Sequence, residues 1–203
     1  VVPVTDSDTF VPAGHKRDDP KPTIDDIPES LRTAIKCFIV TCAIRIARGQ
    51  ENKHNSMLIH VSRFQAWQNH LKEIIDRLFK YYKSEIEAND PTMLEELRQI
   101  FEEDSPDYRS YRTITGEIIE SPVLSRIDNK IRSHTWDEIR PLLYRAVQKI
   151  EVKSINGTSV DSLTYYDNEK NGISVIAIGG DKLSRGLTLE GLSVSYFLRA
   201  SKM

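Results

Sequence analysis

With 203 residues, 39% of them hydrophobic, the chain has material for one sizeable α/β domain, or for one such domain carrying an insertion, and two full domains would be cramped. A formal charge of -2 and a pI near 6.3 exclude a globally basic nucleic-acid binder, so any DNA contact has to come from a local patch. No run reaches the roughly 18 apolar residues of a membrane span, and the N-terminus shows no basic-then-apolar signal, so the chain is expected to be soluble and cytoplasmic, with no membrane partner.

Residues 1–28 hold five of the nine prolines and the charge cluster Lys16-Arg17-Asp18-Asp19, and read as an extended connector crossing the surface. From Glu29 to Arg48, Leu31, Ala34, Ile35, Phe38, Ile39, Cys42 and Ile46 fall at helical intervals, which predicts one long helix ended by Gly49. Cys37 and Cys42, the two cysteines, lie on different faces of that helix, as reduced core residues rather than a disulfide or metal pair. Met57 to Val61 is a compact apolar strand run. Ser62-Arg63-Phe64-Gln65 then fits a capping box, so a helix starts there, with Phe64, Trp67, Leu71, Ile74, Ile75, Leu78 and Tyr82 along one side. Together, residues 29–89 give the first part of an α/β unit.

Residues 90–133 are expected as a mostly helical insertion, opened by the Asp90-Pro91 cap and carrying the interleaved Tyr108, Arg109, Tyr111 and Arg112. These four suit stacking along a nucleic-acid strand no better than they suit a core edge with solvated charges. In residues 134–203 the domain resumes. Thr135-Trp136-Asp137-Glu138 is a second capping box, Ile150 to Ile155 alternates as a half-exposed strand turning at Asn156-Gly157, and Ile173 to Ile178 and Leu192 to Leu198 are two further strand runs, each read as buried on both faces. The alternation of strands and helices predicts a mainly parallel sheet covered by helices.

Between the last two strands lies the richest stretch: Gly179-Gly180-Asp181-Lys182-Leu183-Ser184-Arg185-Gly186-Leu187-Thr188-Leu189-Glu190-Gly191. Its glycines let backbone amides approach an anion and its arginine suits phosphate oxygens, at the sheet edge where nucleotides settle. By itself, Arg185-Gly186 reads equally as a turn with a solvated rim. The run from Gly180 to Leu192 resembles the fifth motif of superfamily-two helicases, and with Met57-Leu58-Ile59-His60-Val61-Ser62-Arg63 upstream it is similar to the Z-one domain, a helicase-like family of bacterial restriction and phage-defence systems, often labelled endonuclease-like. The resemblance implies a second, RecA-like motor lobe. It implies that Gly180 and Asp181, with Gly179 beside them, lie at the nucleic-acid backbone, while Arg185, Gly186, Thr188 and Glu190 contact nucleotide. Thr188 stands where most such helicases keep an aspartate.

The sequence contains no Gly-x-x-x-x-Gly-Lys-Ser/Thr loop, so ATP and its Mg ion are expected to be held mainly by a first lobe outside this chain. The start at Val1 and the end at Met203, short of the family's next arginine segment, read as a fragment truncated at its C-terminus. His60 reads as a core or strand-end histidine rather than a metal ligand. The cap nearly suffices for Ser62; Arg63 is less explained, because a cation at a helix N-terminus is slightly unfavourable unless an anion or partner lies nearby, and a DNA phosphate would serve there. No catalytic residue, nuclease centre or metal cluster emerges, so DNA cleavage is expected of a separate nuclease subunit. Two functions remain open: a lobe of an ATP-dependent DNA translocase, and a non-catalytic module that docks a nuclease or ATPase partner.

Overall fold

The computed structural model describes residues 2–106, 108–127, 131–155, 165–180 and 189–198. In chain order these form α1 (Glu29–Ala47), β1 (Asn55–His60), α2 (Gln65–Glu87), α3 (Pro91–Glu102), α4 (Tyr111–Glu120), α5 (Leu124–Ile127), α6 (Trp136–Ile139), α7 (Leu143–Lys149), β2 (Ile150–Ile155), β3 (Ser174–Gly179) and β4 (Leu192–Phe197). The four strands make one sheet in the order β2-β3-β1-β4, with every pair parallel. Thus β1 and β3 are central, and β2 and β4 are its edges.

Alternation along the strands sorts the side chains onto two faces. Met57, Ile59, Val152, Ile176, Ile178 and Tyr196 join the main apolar cluster, where they meet the buried stripes of α1, α2, α3 and α7. Val175, Ala177 and Ile155 point the other way, into a smaller cluster with Tyr165 and, at its rim, Leu189. Among the described residues the helices therefore cover one face. Burial follows strand position: β3 is sealed on both faces, as its apolar run predicts, whereas β4, expected from the same kind of run, is an edge strand whose one buried residue is Tyr196. Leu192 and Phe197 stand 48% and 46% exposed.

Local signals explain most helix boundaries. Asp90 accepts the Met93 N–H at 2.8 Å with Pro91 in the first turn, and Thr135 forms its reciprocal box with Glu138. Such a cap contributes about 1 kcal/mol. Ser62 does not cap α2: the helix begins at Gln65, two residues later than a box closed by that residue requires, and Ser62 Oγ instead accepts the Phe64 N–H at 3.1 Å. α3 shares the main cluster through Met93, Leu97, Ile100 and Phe101, and Lys36 of α1 reaches Glu96 at 2.8 Å. α4 buries only Thr115, and Ile114, Ile119, Val123 and Leu124 around it stay exposed. The N-terminal segment is more than a connector, since Phe10 is fully buried in the core. Both cysteines are free thiols, and burial pushes Cys42, which accepts from Asn55 Nδ2 at 3.1 Å, up to about 12. No helix among the described residues is long and apolar enough to cross a membrane.

His134 has a fully enclosed side chain with neither ring nitrogen hydrogen-bonded, and Glu138 lies 3.6 Å from Nδ1. Burial, with the Arg132 and Arg48 guanidinia, holds it below the usual imidazole value against the pull of Glu138. A base whose pKa falls on folding takes up protons more readily when unfolded. Its contribution to stability is complete above the ordinary value and is lost as pH falls toward the lowered one. The melting temperature is therefore expected to drop between pH 7.5 and 5.5, and His134→Gln to flatten that slope, as read by circular dichroism.

Candidate nucleotide and nucleic-acid site

The carboxyl ends of the two central strands meet at one place. His60 and Gly179 are register partners at the ends of β1 and β3, and the chain leaves β1 through Val61-Ser62-Arg63-Phe64 directly into α2. Gly180, one step beyond β3, is packed against that turn. A Cβ there would lie 2.6 Å from the Ser62 carbonyl oxygen, 2.5 Å from Gln68 Nε2 and 3.3 Å from Arg63 Cα. Gln68 Nε2 also donates to the Ser62 carbonyl at 2.9 Å, tying α2 to the turn. Glycine at 180 is thus required by the close approach of backbones, and it seats the start of the motif loop beside Arg63.

A second tie comes from the N-terminal segment. His15 Nδ1 lies 3.1 Å from the Pro12 carbonyl, which can only accept, so Nδ1 is the donor and Nε2 accepts the Ser62 hydroxyl at 2.8 Å. The His15 ring packs on Trp67 and meets Phe64 edge-on, and Trp67 Nε1 donates to the Lys16 carbonyl at 3.0 Å. Ser62 is consequently buried, 3% exposed, and set by these bonds rather than offered to a ligand. Arg63 is exposed, its guanidinium 4.8 Å over the Phe64 ring. That ring steadies an exposed cation two residues before the first turn of α2, so an anion there would meet the guanidinium and the helix N-terminal end together.

The structure brings Arg63, Gly179 and Gly180 together and separates Glu190 from them. Because β3 and β4 are parallel, the loop joining them starts at the carboxyl edge and ends at the amino edge, rather than staying at one edge as the sequence suggested. Glu190 lies at the amino edge: its carbonyl accepts from Ser56 Oγ at 2.8 Å, and its carboxylate is 3.8 Å from His54 Nε2. A strand's length, roughly 17 Å, divides it from Gly180. Gly191, with φ +64 and a Cβ position only 2.0 Å from the His54 carbonyl oxygen, fixes the loop's return. Asp181, Arg185, Gly186 and Thr188 lie outside the described residues.

His60 stacks on Phe197 at 4.4 Å across β1 and β4, a strand-end packing role, and no group of potential metal ligands occurs among the described residues. In the Tyr108 to Arg112 run, Tyr111 stacks on Phe101 at 5.7 Å and accepts from Arg48, while Arg109 pairs with Glu117. Those residues form a core edge and an internal ion pair. A cleft of about 510 Å³ lined by Glu87, Asn89, Arg140 and Tyr144 lies at the far end of α2, away from the carboxyl edge. The contribution of His15 escaped sequence reading altogether, since a lone histidine in a proline-rich stretch carries no periodic signal.

A parallel α/β domain with a strand-turn-helix at the centre of its carboxyl edge is the class that fold and site define. The chain belongs to the Z1 domain family, whose match spans residues 30–203 and so takes in both the β1–α2 turn and the motif loop. No curated protein and no solved structure matches it.

Gly180→Ala is expected to destabilise the fold by about 1–3 kcal/mol, because the added methyl has to displace backbone as well as the Gln68 side chain. Urea unfolding of Gly180→Ala and of Gly180→Ala with Gln68→Ala measures this, and the second variant should recover only part of the loss.

Proposed function

We propose that this chain is the second, RecA-like motor lobe of an ATP-dependent DNA translocase or helicase-like subunit of a bacterial restriction or phage-defence system. The observation that carries the reading is the seat of Gly180 against the β1–α2 turn, at the carboxyl ends of the central strands, with Arg63 exposed beside it. In open parallel sheets this crevice is where phosphates bind. Gly179, Gly180 and Asp181 would follow the DNA backbone with Arg63, and Arg185, Gly186 and Thr188 would couple that contact to nucleotide. Glu190, on the opposite edge, would anchor the loop's return instead of touching nucleotide.

ATP and Mg would be held mainly by a first lobe, since the sequence holds no Gly-x-x-x-x-Gly-Lys-Ser/Thr loop. ATP supplies the free energy that closes and reopens the cleft between lobes. The part of this lobe would be to hold the DNA backbone and to move with the cleft, leaving strand cleavage to a separate nuclease subunit. One observation favours the alternative, a non-catalytic module that docks a nuclease or ATPase: the exposed Ile114, Ile119, Val123 and Leu124 around α4.

Two measurements separate these readings. In a full-length protein carrying this chain and a triphosphate loop, Arg185→Ala should cut DNA-stimulated ATP hydrolysis by about tenfold or more; an unchanged rate removes the motif loop from the mechanism. For the 203-residue chain alone, calorimetric titration should show weak ATP binding without turnover, and weak DNA binding that fades with salt and falls further in Arg63→Ala. Tight ATP binding or hydrolysis by this chain alone would sink the motor-lobe reading.

A further inference from the structure

Away from the carboxyl edge, α2 and the edge strand β2 enclose a groove of about 360 Å³. Lys72, Lys80 and Lys83 line it from the helix, and Lys153 from the strand, against only two carboxylates, Asp76 and Glu151. Asp76 is matched to Lys80 at 2.9 Å and Glu151 to Lys153 at 3.0 Å. Lys72 and Lys83 have no carboxylate within ion-pair distance among the described residues. The groove is thus locally positive on a chain whose net charge is -2. Its floor is apolar, formed by Phe79, Ile150 and Val152.

β2 ends the strand order, and no described strand pairs with its outer side. An edge strand presents a row of backbone donors and acceptors in alternation. A peptide backbone complements both, whereas a phosphodiester chain offers acceptors only. Nucleic acid would also need ring faces on which to stack, and Phe79, the aromatic residue of the groove, is only 3% exposed. Lys72 and Lys83 are eleven residues apart on one helix, about 16 Å, which is the span of about five residues of an extended strand.

We propose that this groove takes an acidic, extended segment of a partner protein, which adds to β2 as a further strand and sets its carboxylates against Lys72 and Lys83. Backbone pairing supplies the affinity and the lysines select for acid, as in other strand-addition sites. The assignment is independent of the motor-lobe reading, because it uses a different edge of the sheet and no residue of the motif loop. The ordinary alternative is that these lysines only guard an open edge against aggregation.

Fluorescence anisotropy at low salt with a labelled peptide alternating glutamate and valine tests the assignment. This peptide should bind the chain, while one alternating lysine and valine should not. A peptide of the same charge with proline in place of valine, unable to pair with a strand, should bind about tenfold more weakly or worse. The chain with Lys72→Glu and Lys83→Glu, its fold checked by circular dichroism, should lose about tenfold or more in affinity for the acidic peptide. Failure of the acidic peptide to bind, equal binding of the proline peptide, an unchanged double variant, or displacement of the peptide by short oligo-dT would each overturn the proposal. The peptide comparisons use the unaltered chain, so the result stands even if the double variant misfolds.

Discussion

Parallel pairing of β1 with β3 on one side and β4 on the other constrains the rest of the molecule, because every connection between parallel strands has to travel from the carboxyl edge back to the amino edge. From β1 to β2 the chain moves outward in one direction, and from β2 to β3 and β3 to β4 it moves back. Right-handed crossovers therefore place the first connection on one face and the other two on the opposite face. The helices α2 to α7 make up the first crossing, and α2, α3, α6 and α7 join α1 in the cluster that holds Met57 and Ile176. Tyr165 and Leu189, from the other two, lie in the cluster with Val175 and Ala177. Face assignment, edge position and the location of the candidate site all follow from that one strand order.

The same order makes the carboxyl ends of β1 and β3 the centre of the molecule's polar edge. β1 and β3 are neighbours in the sheet but separated by over a hundred residues in sequence, and the turns that follow them approach so closely that one of them has to lack a side chain. Gly180 meets that need. The turn it packs against is itself immobilised from two directions, by Gln68 through the Ser62 carbonyl and by His15 through the Ser62 hydroxyl. Arg63 is left as the one exposed charged side chain of this turn, and it projects from a rigid base rather than from a loose loop. Rigid placement of a cation at a strand-turn-helix junction is what allows it to select an anion without first being ordered.

Legibility in the sequence tracked how local each cause was. Asp90-Pro91 and Thr135 to Glu138 were readable because a cap needs only residues within four positions of one another. Ser62 to Gln65 carries the same pattern, yet the helix starts late and the serine turns to Phe64 and His15, a choice made by a contact 47 residues away. The apolar run of β3 correctly announced a central strand. The similar run of β4 did not announce an edge, because burial there depends on which strands lie beside it. Phe10 is isolated among prolines and charges, so nothing periodic marks it, although it is fully enclosed.

Residues 2–28 precede the span matched by the family, yet they supply the hydroxyl acceptor for Ser62, the carbonyl that receives Trp67 and, through Pro22, the carbonyl 2.7 Å from His70 Nε2. Asp6 extends the same grip to the start of α1, accepting from both the amide and the hydroxyl of Ser30, whose oxygen lies 2.8 Å from the Tyr196 hydroxyl of β4. The segment therefore touches the first turns of α2 directly and reaches Tyr196 of β4 through Ser30 of α1, while leaving Arg63 open. A strap placed in this way ties an edge strand to the central turn across the sheet's carboxyl end. Three hydrogen bonds to α2 and its entry, together with the buried Phe10, therefore hold the chain before residue 29 against the β1–α2 turn and the core.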